Sequence, residues 1–259
     1  LVPFLYRRRK FENRNSTFSQ LPACELWLHA SSEGELEQLI PVLEYYLNGQ
    51  EKRGHILLLI TSPSVESKAL ALERQYTELH MIRLPLVSRL TGVTRDICQL
   101  APPSYFYMVR YDFFPALLEV ASKPEVLSVL LSATLKGKKF SLINRDMLQY
   151  RLSNFKRIYW ASRRDLVRID SCGLKLNDEQ KRVGDFRHLR IIDRQKSKPN
   201  LQGLGDELIL WEKLVSKYPY KKRVILGSLW ADEFVTMSGS VNELIDQGYL
   251  VFMAPHHLK

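Results

Sequence analysis

Ile56-Leu-Leu-Leu-Ile60 is apolar at every position. A strand with one face in water alternates apolar and polar residues. An unbroken apolar run of this length therefore belongs to a strand covered on both faces, as in a parallel sheet flanked by helices. Other short apolar runs recur along the chain and alternate with stripes of helical period. Strands are expected at 25–30, 55–61, 79–84, 105–109, 126–132 and 157–161. Helices are expected near 35–49, 64–77, 87–100, 115–122 and 162–172. Ser62-Pro63 joins an N-cap to a proline at the first helical position. Strands and helices in strict alternation predict an α/β fold built on a doubly wound parallel sheet.

The character of the chain changes from Asp185 to Leu204. Lys196-Ser-Lys-Pro-Asn200 is polar, charged and broken by proline, and it reads as a linker. Beyond it a helix (206–217), a strand (223–227), a helix (232–247) and a strand (249–253) begin a second α/β unit. The expected organisation is a first domain over 1–195, a linker over 196–205 and the beginning of a second domain over 206–259. A chain of 259 residues is long enough for this. One such βαβ unit is too small to stand alone, so the second domain is expected to be incomplete.

The net charge of +10 is clustered. Arg7-Arg-Arg-Lys10 lies next to the apolar Leu1–Leu5. Further basic residues gather at Arg151–Arg168 and Lys181–Lys198. Such patches suit an anionic partner: a phosphorylated ligand, an anionic membrane surface or nucleic acid. They are equally what a well-solvated surface carries. Cys24, Cys98 and Cys172 are widely spaced and match no metal or redox motif. Unpaired, they fit a reducing compartment. No apolar run approaches the roughly 18 to 20 residues of a membrane-spanning helix. His256 and His257 are adjacent, so on a strand their side chains point apart, and no metal site is read.

Chemistry is expected where a strand runs into a helix. In Leu26-Trp-Leu-His-Ala-Ser-Ser-Glu-Gly-Glu35 an apolar strand meets small polar residues, a glycine and a glutamate. The helical stripe Leu36, Leu39, Ile40, Leu43 and Leu47 follows. The carboxyl end of a strand in an open α/β sheet is where ligands bind. A carboxylate in the first helical turn there is favoured in its ionised form and can accept a proton. The same residues also have the S-x-x-E spacing of a capping box, in which Glu35 only caps its own helix. Gly34 lets another molecule approach the backbone. Further strand-end segments are Tyr111-Asp-Phe-Phe-Pro115, Ser132-Ala-Thr-Leu135, Gly227-Ser228 and Ala254-Pro-His-His257. No dinucleotide-binding, Walker, zinc-protease or hydrolase-elbow motif is present.

Taken in order, these segments resemble the Kdo transferases, which add 3-deoxy-D-manno-octulosonic acid (Kdo) to lipid A precursors. His29-Ala-Ser-Ser-Glu-Gly-Glu35 is similar to the family's H-(A/S)-x-S-x-G-E, and Thr61-Ser-Pro-Ser64 to a shortened T-x-T-P-T-G. Val109–Pro115 resembles M-E-T-E-L-W-P, Ser132–Leu135 resembles N-A-R-L, and Gly184-Asp-Phe-Arg187 falls at G-(S/N)-x-K. Gly227-Ser228 and Pro255-His-His257 resemble the starts of the donor segments. The resemblance implies the GT-B architecture of two Rossmann-like domains, the first for the acceptor and the second for the nucleotide sugar. It implies Glu35 as catalytic base and Asp112 as the second acidic residue. Ser31, Ser32, Gly34 and Arg110 fall on the acceptor side, and Gly227, Ser228, Pro255, His256 and His257 on the donor side. CMP-Kdo is the implied donor, with no metal and no other cofactor. The implied partners are a lipid A precursor or another anionic glycolipid, and an anionic membrane surface met by Arg7, Arg8, Arg9 and Lys10. The implied location is the cytoplasmic face of a bacterial inner membrane, held peripherally or by a preceding segment.

Several positions depart from the family pattern, and Asp112 is one methylene shorter than the family's glutamate. Arg110 stands where the family has glutamate, Leu229-Trp230 where it has T-H, and His256 where it has arginine. Two rival readings follow: a non-catalytic relative with the same fold, and a nucleic-acid-binding α/β protein favoured by charge alone.

Overall fold

The computed structural model describes residues 11–12, 21–49, 54–84, 97, 100–110, 112–135, 142–196, 205–218 and 222–255. The chain divides into a unit over Leu1–Ser197 and a unit over Lys198–Lys259.

In the first unit the elements alternate as β1 (Cys24–Ala30), α1 (Glu33–Asn48), β2 (His55–Ile60), α2 (Pro63–Gln75) and β3 (Leu79–Arg83). The chain continues through β4 (Tyr105–Val109), α3 (Pro115–Ala121), β5 (Leu127–Ala133), α4 (Leu142–Ser153), β6 (Arg157–Trp160) and α5 (Arg163–Ser171). A short 3₁₀ turn (Asp178–Lys181), β7 (Arg182–Val183) and α6 (Phe186–Lys196) complete it. The strands form one sheet in the order β3-β2-β1-β4-β5-β6-β7, and every pair is parallel. The connections run outward from β1 to β3, then return to β4 beside β1. The point of reversal lies between β1 and β4, where a crevice opens at the carboxyl ends of the strands.

Both faces of this sheet are buried, as the run at 56–60 requires. Leu26, Leu28, Ile56, Leu58 and Ile60 point into a core beneath α1 and α2. Trp27, Leu57, Leu59, Phe106 and Trp160 point into a second core on the other face, with Leu117 of α3 and Ile169 of α5. Consecutive strand residues point to opposite faces, so a two-sided core needs apolar residues throughout. α1 supplies Leu36, Leu39, Ile40, Leu43 and Leu47 to its core, the stripe read from the sequence.

The second unit holds α7 (Gly205–Lys217), β8 (Arg223–Leu229), α8 (Ala231–Asp246) and β9 (Leu250–Pro255). β8 and β9 pair in parallel.

The structure corrects the sequence reading at three places. α4 is a helix where none was expected. Residues 186–196 form α6, where no element was expected. β7 is a further strand at the edge of the sheet. α6 is anchored from a distance: Arg190 Nε donates to Glu37 Oε2 of α1 at 2.6 Å. The helix expected over 87–100 falls almost wholly outside the described residues, as does Arg7–Lys10.

Candidate active site

The turn from β1 into α1 is held by its own side chains. Ser32 is the N-cap, and its Oγ accepts the Glu35 amide at 3.3 Å. Glu35 Oε2 accepts the amide of Ser31 at 2.7 Å. The serine half of a capping box is therefore present, while the glutamate reaches one residue further back than the box requires. The hydroxyl of Ser31 also bonds that of Thr61, at the end of β2, so the ends of two adjacent strands are tied together. Gly34 is exposed, and a Cβ built on it would meet no atom within 4 Å. The backbone there is open to an incoming group.

β4 delivers Arg110 and Asp112 to the other side of the crevice. Arg110 adopts φ 64°, a left-handed conformation uncommon for any residue but glycine. Its amide donates to Leu131 O of β5 at 2.9 Å, and its buried Nε has no hydrogen-bond partner. Asp112 offers its backbone carbonyl to the Phe114 amide at 2.8 Å; Tyr111 lies outside the described residues. Burial pushes the Glu35 carboxyl above the usual carboxylate range. The Ser31 amide opposes that shift, the Asp112 charge adds to it and the Arg110 charge opposes it. Glu35 and Asp112, read separately from the sequence, therefore sense each other across the crevice. A carboxylate moved towards neutrality is better matched to proton transfer near neutral pH than an ordinary one.

Below this rim sits His29, wholly buried. Neither ring nitrogen has a hydrogen-bond partner. Its ring meets Phe114 edge-on at 5.8 Å. Burial holds its pKa down to about 3, so it is neutral at physiological pH. Ser132, at the end of β5, also takes a left-handed φ, of 49°. Its hydroxyl accepts the first amide of α6, from Phe186, at 3.0 Å. A cavity of about 300 Å³ lies elsewhere, over the middle of β4 and β5 between α1 and α6, with Tyr107 and Val129 in its floor. It is lined by none of the strand-end residues Glu35, Arg110, Asp112 and Ser132.

A family model described as 3-deoxy-D-manno-octulosonic-acid transferase (kdotransferase) matches residues 5–187. The chain belongs to the Kdo transferase family. That match spans all the strand ends of the first unit, and it carries a glycosyltransferase-family domain. No curated protein sequence matches this chain. Among solved structures, the UDP-GlcNAc 2-epimerase of Neisseria meningitidis, bound to UDP-GlcNAc, is similar with a TM-score of 0.52 and 10% identity. The match covers 90% of this chain and 72% of the epimerase. The wall teichoic acid polymerase TagF gives a TM-score of 0.45 at 10% identity, over 97% of this chain and 60% of TagF. The chain thus spans less than two thirds of that polymerase. At this identity the epimerase speaks for the fold alone, a parallel α/β domain followed by the start of another, as in GT-B proteins.

In the second unit of this Kdo transferase relative, Gly227 and Ser228 lie near the carboxyl end of β8. Ser228 takes φ 59° at a register shift between Gly227 and Leu229. Pro255 ends β9 opposite Leu229. Trp230 N-caps α8 and donates its amide to Glu233 Oε2 at 3.0 Å. His256 and His257 lie outside the described residues. Sequence reasoning passed over Asp165 and Arg168, which hold the Leu135 amide and carbonyl just after β5. The S-x-x-D spacing of Ser162 and Asp165 is a capping signal that points to Asp165.

Proposed function

We propose that this chain transfers Kdo from CMP-Kdo to a lipid A precursor, with Glu35 as the general base. The observation that carries the reading is Glu35 itself. It is held at the point of strand reversal, raised in pKa, and coupled to Asp112 and Arg110. Glu35 takes the proton of an acceptor hydroxyl. The oxygen forms a bond to the anomeric carbon of the donor as the bond from that carbon to the phosphate oxygen breaks, and CMP leaves. Ser31, Ser32, Gly34 and Arg110 hold the acceptor. Gly227, Ser228, Pro255, His256 and His257 serve the donor, whose leaving phosphate needs hydrogen-bond donors. Arg7–Lys10 meet an anionic membrane surface, and the protein works peripherally at the cytoplasmic face of the inner membrane. Among the described residues no helix is long and apolar enough to cross a membrane.

Glu35→Gln keeps the shape of the turn and removes the base. Transfer from CMP-Kdo is expected to fall by about 10² to 10⁴, with little change in melting temperature. In the unaltered protein, activity should decline on the acid side with a midpoint above the ordinary carboxylate range. Normal turnover by the Gln variant would reduce Glu35 to a helix cap.

A second reading, a non-catalytic relative, is favoured by Leu229 and Trp230 in place of the family's T-H. Calorimetry with CMP and CMP-Kdo separates the two. Absence of binding at millimolar ligand, with the fold intact, selects the non-catalytic reading.

A further inference from the structure

The exit of β5 is gripped from outside the crevice. The Leu135 amide donates to Asp165 Oδ1 at 3.0 Å, and the Leu135 carbonyl accepts from Arg168 Nη1 at 2.9 Å. Both side chains come from the first two turns of α5, three residues apart and so on one face. Asp165 is buried. Its second oxygen accepts the Ser162 hydroxyl at 2.6 Å, whose own oxygen accepts the Asp165 amide at 3.3 Å. Both backbone groups of a single residue are thus fixed by one rigid helix start.

What lies just upstream is strained. Ser132 sits at φ 49°, and the pairing of β5 with β6 slips between Leu130 and Ala133. A left-handed backbone at a residue other than glycine persists only where its surroundings over-determine it. Leu131, on the near side of that turn, accepts the Arg110 amide at 2.9 Å. Arg110 is itself left-handed, and its charge acts on Glu35. A continuous line of contacts therefore runs from α5 through Leu135, the turn at Ser132 and Leu131 to Arg110.

We infer that Asp165 and Arg168 form a clamp that sets the backbone at Arg110, and so are positioning residues for the acceptor side of the crevice. The clamp follows from the contacts above. Its consequence for the acceptor rests on the transferase reading.

The test uses the full chain and three variants: Arg168→Ala, Arg168→Lys and Asp165→Asn. Arg168→Ala removes one charge-assisted hydrogen bond and leaves the buried carboxylate in place. Amide exchange at Arg110 should quicken about tenfold, the scale of one such bond, while the melting temperature stays within a few degrees. In transfer assays the acceptor KM should rise by a similar factor with kcat little changed. Arg168→Lys, which can still donate to the Leu135 carbonyl, should recover most of both. Asp165→Asn should resemble Arg168→Ala in exchange at Arg110 if it folds. Faster exchange confined to 133–135, with Arg110 unaffected, overturns the inference. So does a uniform rise in exchange that tracks the melting temperature. Faster exchange at Arg110 in a protein whose unaltered form transfers no sugar upholds the clamp and removes only the transferase reading.

Discussion

The two units bury their strands to very different degrees. In the first, seven strands present two faces to helices, and Leu58 in β2 is wholly buried. In the second, two strands and two helices are described. Ile225 in β8 is 67% exposed and Val235 in α8 71% exposed. Both sets of strands are rich in apolar residues, yet those of the first unit are mostly buried and those described in the second are half-buried or exposed. Burial depends on how many layers surround a strand, because a buried fraction grows with the size of the packed body. Among the described residues of the second unit, two strands and two helices give less cover than seven strands with helices on both faces.

The strongest way to break this comparison is to shorten one side chain in each sheet. Leu58→Ala should cost about 2 to 5 kcal/mol, as for a fully buried leucine. Ile225→Ala should stay within about 0.5 kcal/mol, as for an exposed position. Denaturant titration of both variants reads the difference. Equal losses would mean that β8 is covered as thoroughly as β2.

A second effect belongs to the buried side alone. His29 titrates near 6.5 when unfolded and is held at about 3 in the fold. Its contribution to stability is complete above pH 6.5. It is lost as the pH falls towards 3, because the unfolded chain takes up a proton that the buried ring refuses. The slope from this one group is at most about 1.4 kcal/mol per pH unit. His29→Leu should flatten the stability curve between pH 6 and 4. Unchanged slopes would show that the ring is reached by water or by a partner.

The smallest effect sharpens the contrast at a strand end. Ser132→Ala removes the hydroxyl that holds Phe186 and should cost about 1 kcal/mol. Ser132→Gly loses the same bond but accepts φ 49° freely, so it should be the less damaging of the two by thermal melting. The reverse order would locate the importance of Ser132 in its backbone packing.

The strands and helices of highest periodicity were legible before any coordinates. β2, β4 and α1 lie within two residues of where their patterns place them, since a period of two or of 3.6 is a local property of the chain. α4 and α6 were not legible. In α6 the apolar Leu189, Ile191 and Ile192 are interleaved with basic residues, and all three are substantially exposed. Two bonds to residues far away in sequence hold that helix: Arg190 reaches Glu37, and the Phe186 amide donates to Ser132. Glu35 could be singled out because strand, small residues, glycine and glutamate are contiguous. Whether it caps or accepts protons was open, since spacing says nothing about burial.

The sequence by itself determined an α/β chain with parallel strands, small or polar segments at several strand ends and a resemblance to the Kdo transferase pattern. These follow from neighbours along the chain: alternation, capping spacing and short motifs. Only the tertiary structure decided that β1 and β4 lie side by side, that Arg110 and Asp112 bear on the charge of Glu35, and that α5 grips the exit of β5. Those are relations between residues distant in sequence. They arise from strand order and from the burial that raises the Glu35 carboxyl. Desolvation is a property of the surrounding volume, and no local pattern of residues encodes it.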